Sequence, residues 1–171
     1  KLLANVMLIC SLISAIFILL LSYLKTNSYH NSIYVSIIAI SGIALGYFYT
    51  AKPLKLSARK GLGELTIFLA FGPLLTLGTG FAISSETIIL FSKEFYNLFF
   101  LGIPVGLLST NILFINQFPD YKSDKLAGKN NLVVVLGKKA ARWVYLIFLS
   151  LTFIFMFYFV EILSESISNF P

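Results

Sequence analysis

Charged residues are scarce in this chain, and their scarcity excludes an ordinary soluble domain. Asp, Glu, Lys and Arg make up 12% of the 171 residues, whereas 58% are hydrophobic. A soluble domain carries about 25% charged residues. The single cysteine, Cys10, excludes an intrachain disulfide and a cysteine-based metal site. What remains is the composition of a membrane protein.

The uncharged runs are long enough to cross a bilayer, whose core needs about 20 apolar residues in a helix. We therefore predict an all-α, multi-span transmembrane helical bundle that forms one domain over residues 1–171. Its five predicted spans lie near residues 3–24, 32–50, 64–83, 96–117 and 142–162. The first residue is Lys1 rather than methionine, and an odd number of spans without a capping domain is typical of a fragment. We expect the chain to be part of a longer protein.

Small residues recur at four-residue spacing in two of the predicted spans. Gly42 and Gly46 lie in the second, and Gly102 and Gly106 lie in the fourth. This spacing allows helix backbones to approach closely in lipid. We interpret both pairs as helix contacts rather than as walls of a ligand cavity.

The net charge of +6 is concentrated beside the predicted spans, which argues against a nucleic-acid partner and for the lipid bilayer. Ten of the 13 Lys and Arg residues fall within two loops, 51–62 and 118–142. These loops precede the third and fifth spans, so they share one side of the membrane. Lys and Arg accumulate on the cytoplasmic side of membrane proteins. We predict a multi-pass protein of the cell membrane with both loops in the cytoplasm.

The two aspartates, Asp120 and Asp124, are the strongest candidates for chemistry, since the chain contains no others. Residues four apart share one face of a helix, where two like charges repel each other. Mg²⁺ would offset that repulsion, since it is typically held by one or two carboxylates together with substrate phosphates. Asn116 continues the same spacing, and nearby lysines carry charge that neutralises a diphosphate. A solvated loop of mixed charge is an alternative that the spacing leaves open.

Two segments resemble motifs of the UbiA family of intramembrane prenyltransferases. Residues 116–137 read NQFPDYKSDKLAGKNNLVVVLG and look like the second aspartate-rich motif of that family. From Tyr49 the chain reads YTAKPLKLSARKGLGELTIFLAFGPLLTLGTGF, which resembles the basic loop after the fourth helix of the family. The residues of these two segments most closely resemble those of 1,4-dihydroxy-2-naphthoate polyprenyltransferases of menaquinone biosynthesis. The resemblance implies a nine-span bundle, of which this chain supplies spans three to seven.

The resemblance also implies a reaction and its metal. A transferase of this family moves a polyprenyl group from polyprenyl diphosphate to an aromatic acceptor such as 1,4-dihydroxy-2-naphthoate, with Mg²⁺. Asp120 and Asp124 match the positions that hold the metal, with Asn116 beside them. Both aspartates are therefore expected to be catalytic.

The remaining site residues follow from the same likeness. Lys55 matches a loop lysine that contacts the diphosphate and is expected to be catalytic, and Tyr49 matches the tyrosine that opens that loop. Lys125 and Lys129 are further candidates for binding the phosphates. Glu64 is expected only to complement the dipole of the third span at its first turn.

One departure and three rival interpretations stay open at this point. The family carries an earlier aspartate motif, and no equivalent stands upstream of Asp120, so we expect the fragment alone to be inactive. The rivals are a family member with a different acceptor, an inactive truncated product, and a transporter-type helix bundle. A transporter more often carries ionisable residues within its spans.

Overall fold

The computed structural model describes residues 2–26, 29–84 and 86–168, and these residues form helices and loops without strands. A short 3₁₀ turn, Leu56–Ala58, lies in the first basic loop. The described residues form seven α-helices: α1 Leu2–Thr26, α2 Tyr29–Thr50, α3 Leu62–Phe71, α4 Pro73–Ile83, α5 Lys93–Gln117, α6 Tyr121–Leu126 and α7 Leu132–Ser168. The predicted all-α fold is confirmed.

Four stretches of the described chain are long and apolar enough to cross a membrane. They are His30–Thr50, Leu62–Ile83, Lys93–Gln117 and Leu132–Glu161. The stretch from Leu62 to Ile83 combines α3 and α4. In α1 the apolar stretch found among the described residues is shorter, Ile9–Leu21, so a first span over residues 3–24 stays a prediction. The architecture is that of a transmembrane helical bundle.

Helix α5 lies at the centre of the bundle, where it packs against α3, α4 and α7. Gly72 separates α3 from α4 with φ −103° and ψ −107°, and Pro73 starts the new helix, a position where its missing N–H costs nothing. A Cβ on Gly102 would lie 2.6 Å from the Pro73 Cα, and one on Gly106 would lie 2.6 Å from the Phe68 carbonyl oxygen. The close approach predicted for this glycine pair is confirmed.

The glycine pair in α2 behaves differently from the pair in α5. No heavy atom of the described chain lies within 4 Å of a Cβ placed on Gly42 or Gly46. Gly42 instead lines an open apolar cavity of about 490 Å³ between α1, α2 and α4. The prediction of a helix contact at this pair is therefore wrong for the described residues, because the four-residue spacing identifies a smooth helix face but not its neighbour.

The two ends of the bundle are built from different contacts. At one end the buried side chain of Asn31 donates to the Glu86 carbonyl oxygen at 2.9 Å and accepts from the Ile88 N–H at 3.1 Å, which fixes the loop before α5. At the other end Phe114 and Val133 are fully buried where α5 meets the start of α7. The candidate site lies at this second end.

Candidate functional site

The two basic loops meet on one face of the bundle. The N–H of Asn130 donates to the Ala58 carbonyl oxygen at 3.0 Å, which joins loop 118–142 to loop 51–62. The Leu132 side chain packs against Gly61, where an added Cβ would lie 3.2 Å from the leucine Cδ2. The sequence placed both loops on one side of the membrane, and their direct contact agrees with that placement.

The first loop turns immediately after α2, which brings Tyr49 and Lys55 to this face. Lys55 adopts a left-handed backbone conformation, φ 42° and ψ 58°, and its N–H donates to the Ala51 carbonyl oxygen at 2.9 Å. Its side chain is exposed. Tyr49 is half-buried in the last turn of α2, within electrostatic range of the Glu64 carboxylate and the Lys129 ammonium.

The aspartate pair occupies one helical turn, as the spacing predicts. Asp120 directly precedes α6, and the Asp124 N–H donates to its carbonyl oxygen at 2.8 Å. The environments of the two carboxylates differ. Asp120 is exposed, whereas Asp124 is only 9% exposed.

Both oxygens of Asp124 are held by the segment that follows α6. Lys129 Nζ donates to Oδ1 at 2.9 Å, and Asn131 Nδ2 donates to Oδ2 at 2.8 Å. Asn131 also caps α7, because its Oδ1 accepts from the Val134 N–H at 2.9 Å. The residue that starts α7 therefore orients the buried aspartate.

Lys129 connects the charged residues of this face. The hydrogen bond from its ammonium to Asp124 is the largest effect and raises the pKa of Lys129. Burial, the second-largest effect, opposes it, and the charges of Asp124, Asp120 and Tyr49 raise the pKa further. Its side chain remains 50% exposed. A cation so placed is stable as Lys⁺ and is accessible to an anionic ligand.

Glu64 is the residue whose role the sequence interpretation missed. It lies in the first turn of α3, as expected, but it is only 3% exposed. Its Oε1 accepts from Gln117 Nε2 at 2.9 Å and from the Leu132 N–H at 2.9 Å. Glu64 therefore joins α3, α5 and α7, which is more than the complement to a helix dipole that its position suggests. One indication of this role was available in the sequence, because Glu64 is the only acidic residue between residues 30 and 85.

An apolar cavity of about 280 Å³ lies behind Glu64, between α3, α5 and α7. Leu65, Phe68, Leu107 and Phe148 contribute apolar walls, and Glu64 is the charged residue among its lining. Glu64, at the edge of the cavity, and the aspartate cluster are joined by consecutive residues, because Leu132 binds Glu64 and Asn131 binds Asp124.

Two of the predicted site residues form no hydrogen bond with this cluster among the described residues. The ammonium of Lys125 lies 6.0 Å from the centre of the Tyr121 ring, which Lys138 approaches at 5.5 Å. Asn116 is exposed near the end of α5, one turn before Asp120. The residues that the structure does bring together are Asp120, Asp124, Lys129 and Tyr49, with Asn131 and Glu64 added.

The donor set fits Mg²⁺ bound together with a phosphate group. Mg²⁺ prefers oxygen ligands and uses one or two carboxylates. Each oxygen of Asp124 accepts one hydrogen bond from the described chain, which leaves lone pairs for a metal, and no bond or ion pair engages the exposed Asp120 carboxylate in that part of the chain. The described residues contain no cluster of three or more His, Cys, Asp or Glu.

Comparison with known proteins identifies the family of the chain. The sequence profile of the UbiA prenyltransferase family matches residues 2–167. The chain belongs to the UbiA prenyltransferase family. No solved structure is significantly similar to it.

Three relatives illustrate the range of the match within the UbiA family. UbiA prenyltransferase domain-containing protein 1 of Dictyostelium discoideum is 34% identical over 130 residues, which is 76% of this chain and 37% of that protein. A 2-carboxy-1,4-naphthoquinone phytyltransferase of Synechocystis is 34% identical over 106 residues, or 61% of this chain and 32% of that protein. The 1,4-dihydroxy-2-naphthoate octaprenyltransferase of Bacillus subtilis is 30% identical over 111 residues, or 65% of this chain and 33% of that protein. The chain spans about a third of the length of these relatives.

Proposed function

We propose that the protein containing this chain transfers a polyprenyl group from polyprenyl diphosphate to an aromatic acceptor such as 1,4-dihydroxy-2-naphthoate, within the membrane and with Mg²⁺. The observation that carries the proposal is the cluster of Asp120, Asp124 and Lys129 at the face where the basic loops meet, joined to an apolar cavity through Asn131 and Leu132. Membership of the UbiA family and the naphthoate and naphthoquinone substrates in the names of two relatives support the choice of acceptor.

In this mechanism the charged face binds the diphosphate end of the donor. Asp120 and Asp124 hold the metal, with Asn116 near them, and Lys129 binds phosphate oxygen as a point charge. Magnesium, when bound, supplies charge stabilisation for the leaving diphosphate. The carbon–oxygen bond breaks with its electron pair remaining on the diphosphate, and the prenyl carbon forms a new bond to an electron-rich carbon of the acceptor ring. That ring carbon then releases a proton, which restores the aromatic ring.

Tyr49, Lys55 and Lys125 complete the proposed binding surface. The charges of Glu64 and Lys129 both act on Tyr49, so its hydroxyl is suited to orient a phosphate or an acceptor. Lys55 and Lys125 are exposed on the same face and add positive charge that attracts the diphosphate.

The surroundings of the reaction follow from the fold. The apolar walls of the cavity keep water away from the electron-deficient prenyl carbon. We place loops 51–62 and 118–142 on the cytoplasmic side, since Lys and Arg accumulate there. The polyprenyl tail then lies among the membrane-spanning helices while its diphosphate meets the cytoplasmic rim.

The test is transfer activity in membranes that contain the protein expressed from its complete reading frame. Labelled polyprenyl diphosphate is supplied with a panel of acceptors that includes 1,4-dihydroxy-2-naphthoate and 4-hydroxybenzoate, with Mg²⁺ or with a chelator. We expect product with the naphthoate, loss of product with the chelator, and a fall of at least about a hundredfold in Asp120→Ala and Asp124→Ala.

Two outcomes would contradict the proposal. Near-normal turnover in either aspartate variant, with membrane insertion unchanged, would remove the metal-ligand roles. Product with 4-hydroxybenzoate alone would keep the reaction type and replace the acceptor.

A further inference from the structure

The cavity between α3, α5 and α7 combines a small apolar volume with one buried carboxylate. Its volume of about 280 Å³ is near the lower end of the range of roughly 300–1,000 Å³ that small-molecule sites occupy. A space of this size accepts one ring or two fused rings and is too small for a long polyprenyl chain. Its apolar lining, which includes Phe68 and Phe148, suits the faces of an aromatic ring.

The hydrogen bonding of Glu64 is incomplete within the part of the chain that the structure describes. Oε1 accepts two hydrogen bonds, whereas Oε2 has no partner there and is covered by protein. Burying an acceptor without a partner is costly, and more so for a charged group. Glu64 lines the cavity, and a rotation about its soft terminal torsion would be needed to bring Oε2 to the cavity surface. A donor group supplied from outside these residues would satisfy Oε2.

We propose that this cavity binds the ring of the acceptor and that Glu64 accepts a hydrogen bond from a hydroxyl group on that ring. The inference rests on the proposed function and specifies where its second substrate binds. A hydroxyl that donates to a carboxylate makes a hydrogen bond about twice as strong as a neutral one. A carboxylate on the acceptor is repelled by Glu64 and faces away from it, toward the cationic side of the site.

The position of the cavity fits this role. Leu132 donates its N–H to Glu64, and the preceding residue, Asn131, binds the buried aspartate Asp124. Two consecutive residues thus hold both Glu64, which is proposed to bind the acceptor ring, and Asp124, which is assigned to the donor diphosphate. A ring held at Glu64 would then lie across that segment from the proposed site of the donor diphosphate.

The variant that tests the inference is Glu64→Gln. The glutamine retains an oxygen that accepts from Gln117 and from the Leu132 N–H, so the three helices stay joined. The substitution therefore removes the acceptor for the ring hydroxyl without opening the fold.

The measurements use the protein expressed from its complete reading frame. We expect Glu64→Gln to raise the dissociation constant and KM for 1,4-dihydroxy-2-naphthoate by about tenfold or more. The KM for polyprenyl diphosphate should stay within about twofold, and so should binding of 2-naphthoate, which lacks ring hydroxyls. A second variant, Leu107→Phe, fills the cavity and should weaken binding of both naphthoates.

The outcomes separate this inference from the proposed function. Transfer by the wild-type protein with unchanged naphthoate affinity in Glu64→Gln would overturn the inference alone. Equal loss of both naphthoates in Glu64→Gln would also overturn it, because the effect would not depend on the hydroxyl. Glu64-dependent binding of the dihydroxynaphthoate without any transfer would uphold the acceptor site and contradict the proposed function.

Discussion

Replacing Gly106 with alanine should force α5 away from α3, and the structure gives the size of the effect. An added Cβ would lie 2.6 Å from the Phe68 carbonyl oxygen and 3.2 Å from the Gly72 Cα. The first distance is shorter than Cβ contacts in folded proteins, so the helices must shift by several tenths of an ångström. Such overpacking costs about 1–3 kcal/mol. Alanine also gains about 1 kcal/mol of helix propensity over glycine, which leaves a net loss of about 0–2 kcal/mol.

Gly46→Ala is the matched control, since a Cβ at Gly46 meets no heavy atom of the described chain within 4 Å. It shares the propensity gain without the packing cost, so the difference between the two variants isolates the contact. We expect Gly106→Ala to unfold more easily than Gly46→Ala by about 1–3 kcal/mol. The assay is denaturant unfolding of purified protein in mixed micelles, followed by circular dichroism. Equal stability of the two variants would refute the packing of α5 on α3.

Three further predictions concern the charged face and the extent of the chain. Lys129→Met should raise the KM for polyprenyl diphosphate by about tenfold, because it removes a cation hydrogen-bonded to Asp124, whereas the exposed Lys139→Met should change it less. Since the pKa of Lys129 is raised, its ion pair contributes fully to stability below the ordinary lysine value of about 10.5 and is lost only as the pH rises through the raised value. The contribution of this ion pair to the free energy of unfolding of the wild type should therefore stay constant between about pH 6 and 9. A loss of that contribution within this pH range would contradict the assignment. Residues 1–171 expressed alone should form no prenylated product, since they carry a single aspartate pair, and measurable turnover by the purified piece would show this prediction to be wrong.

Helix type and the position of the charged face were predictable because they depend on local properties of the chain. Long uncharged runs specify membrane-crossing helices, and the positions of lysines specify a shared face. The four-residue step from Asp120 to Asp124 likewise follows from the geometry of one helical turn. Each of these needs only a few neighbouring residues.

Contacts between distant segments were not predictable in the same way. The glycine pairs in α2 and α5 have the same spacing, yet only Gly102 and Gly106 meet another backbone, because the partner is set by the break at Gly72. Glu64 looked like a helix-start acid, and its bonds to Gln117 and Leu132 span 53 and 68 residues of sequence. Nothing in the sequence indicated a role for Asn131, although it both caps α7 and holds Asp124.

The central claim is that Asp120 and Asp124 hold a magnesium–diphosphate group, and binding of polyprenyl diphosphate as a function of Mg²⁺ concentration tests it most directly. The measurement compares the wild-type protein, expressed from its complete reading frame, with Asp120→Asn and Asp124→Asn, which keep the size of each side chain and remove its charge. We expect Mg²⁺ to tighten binding to the wild type, and we expect this gain to fall at least about tenfold in both variants. An undiminished Mg²⁺ dependence in either variant would contradict it.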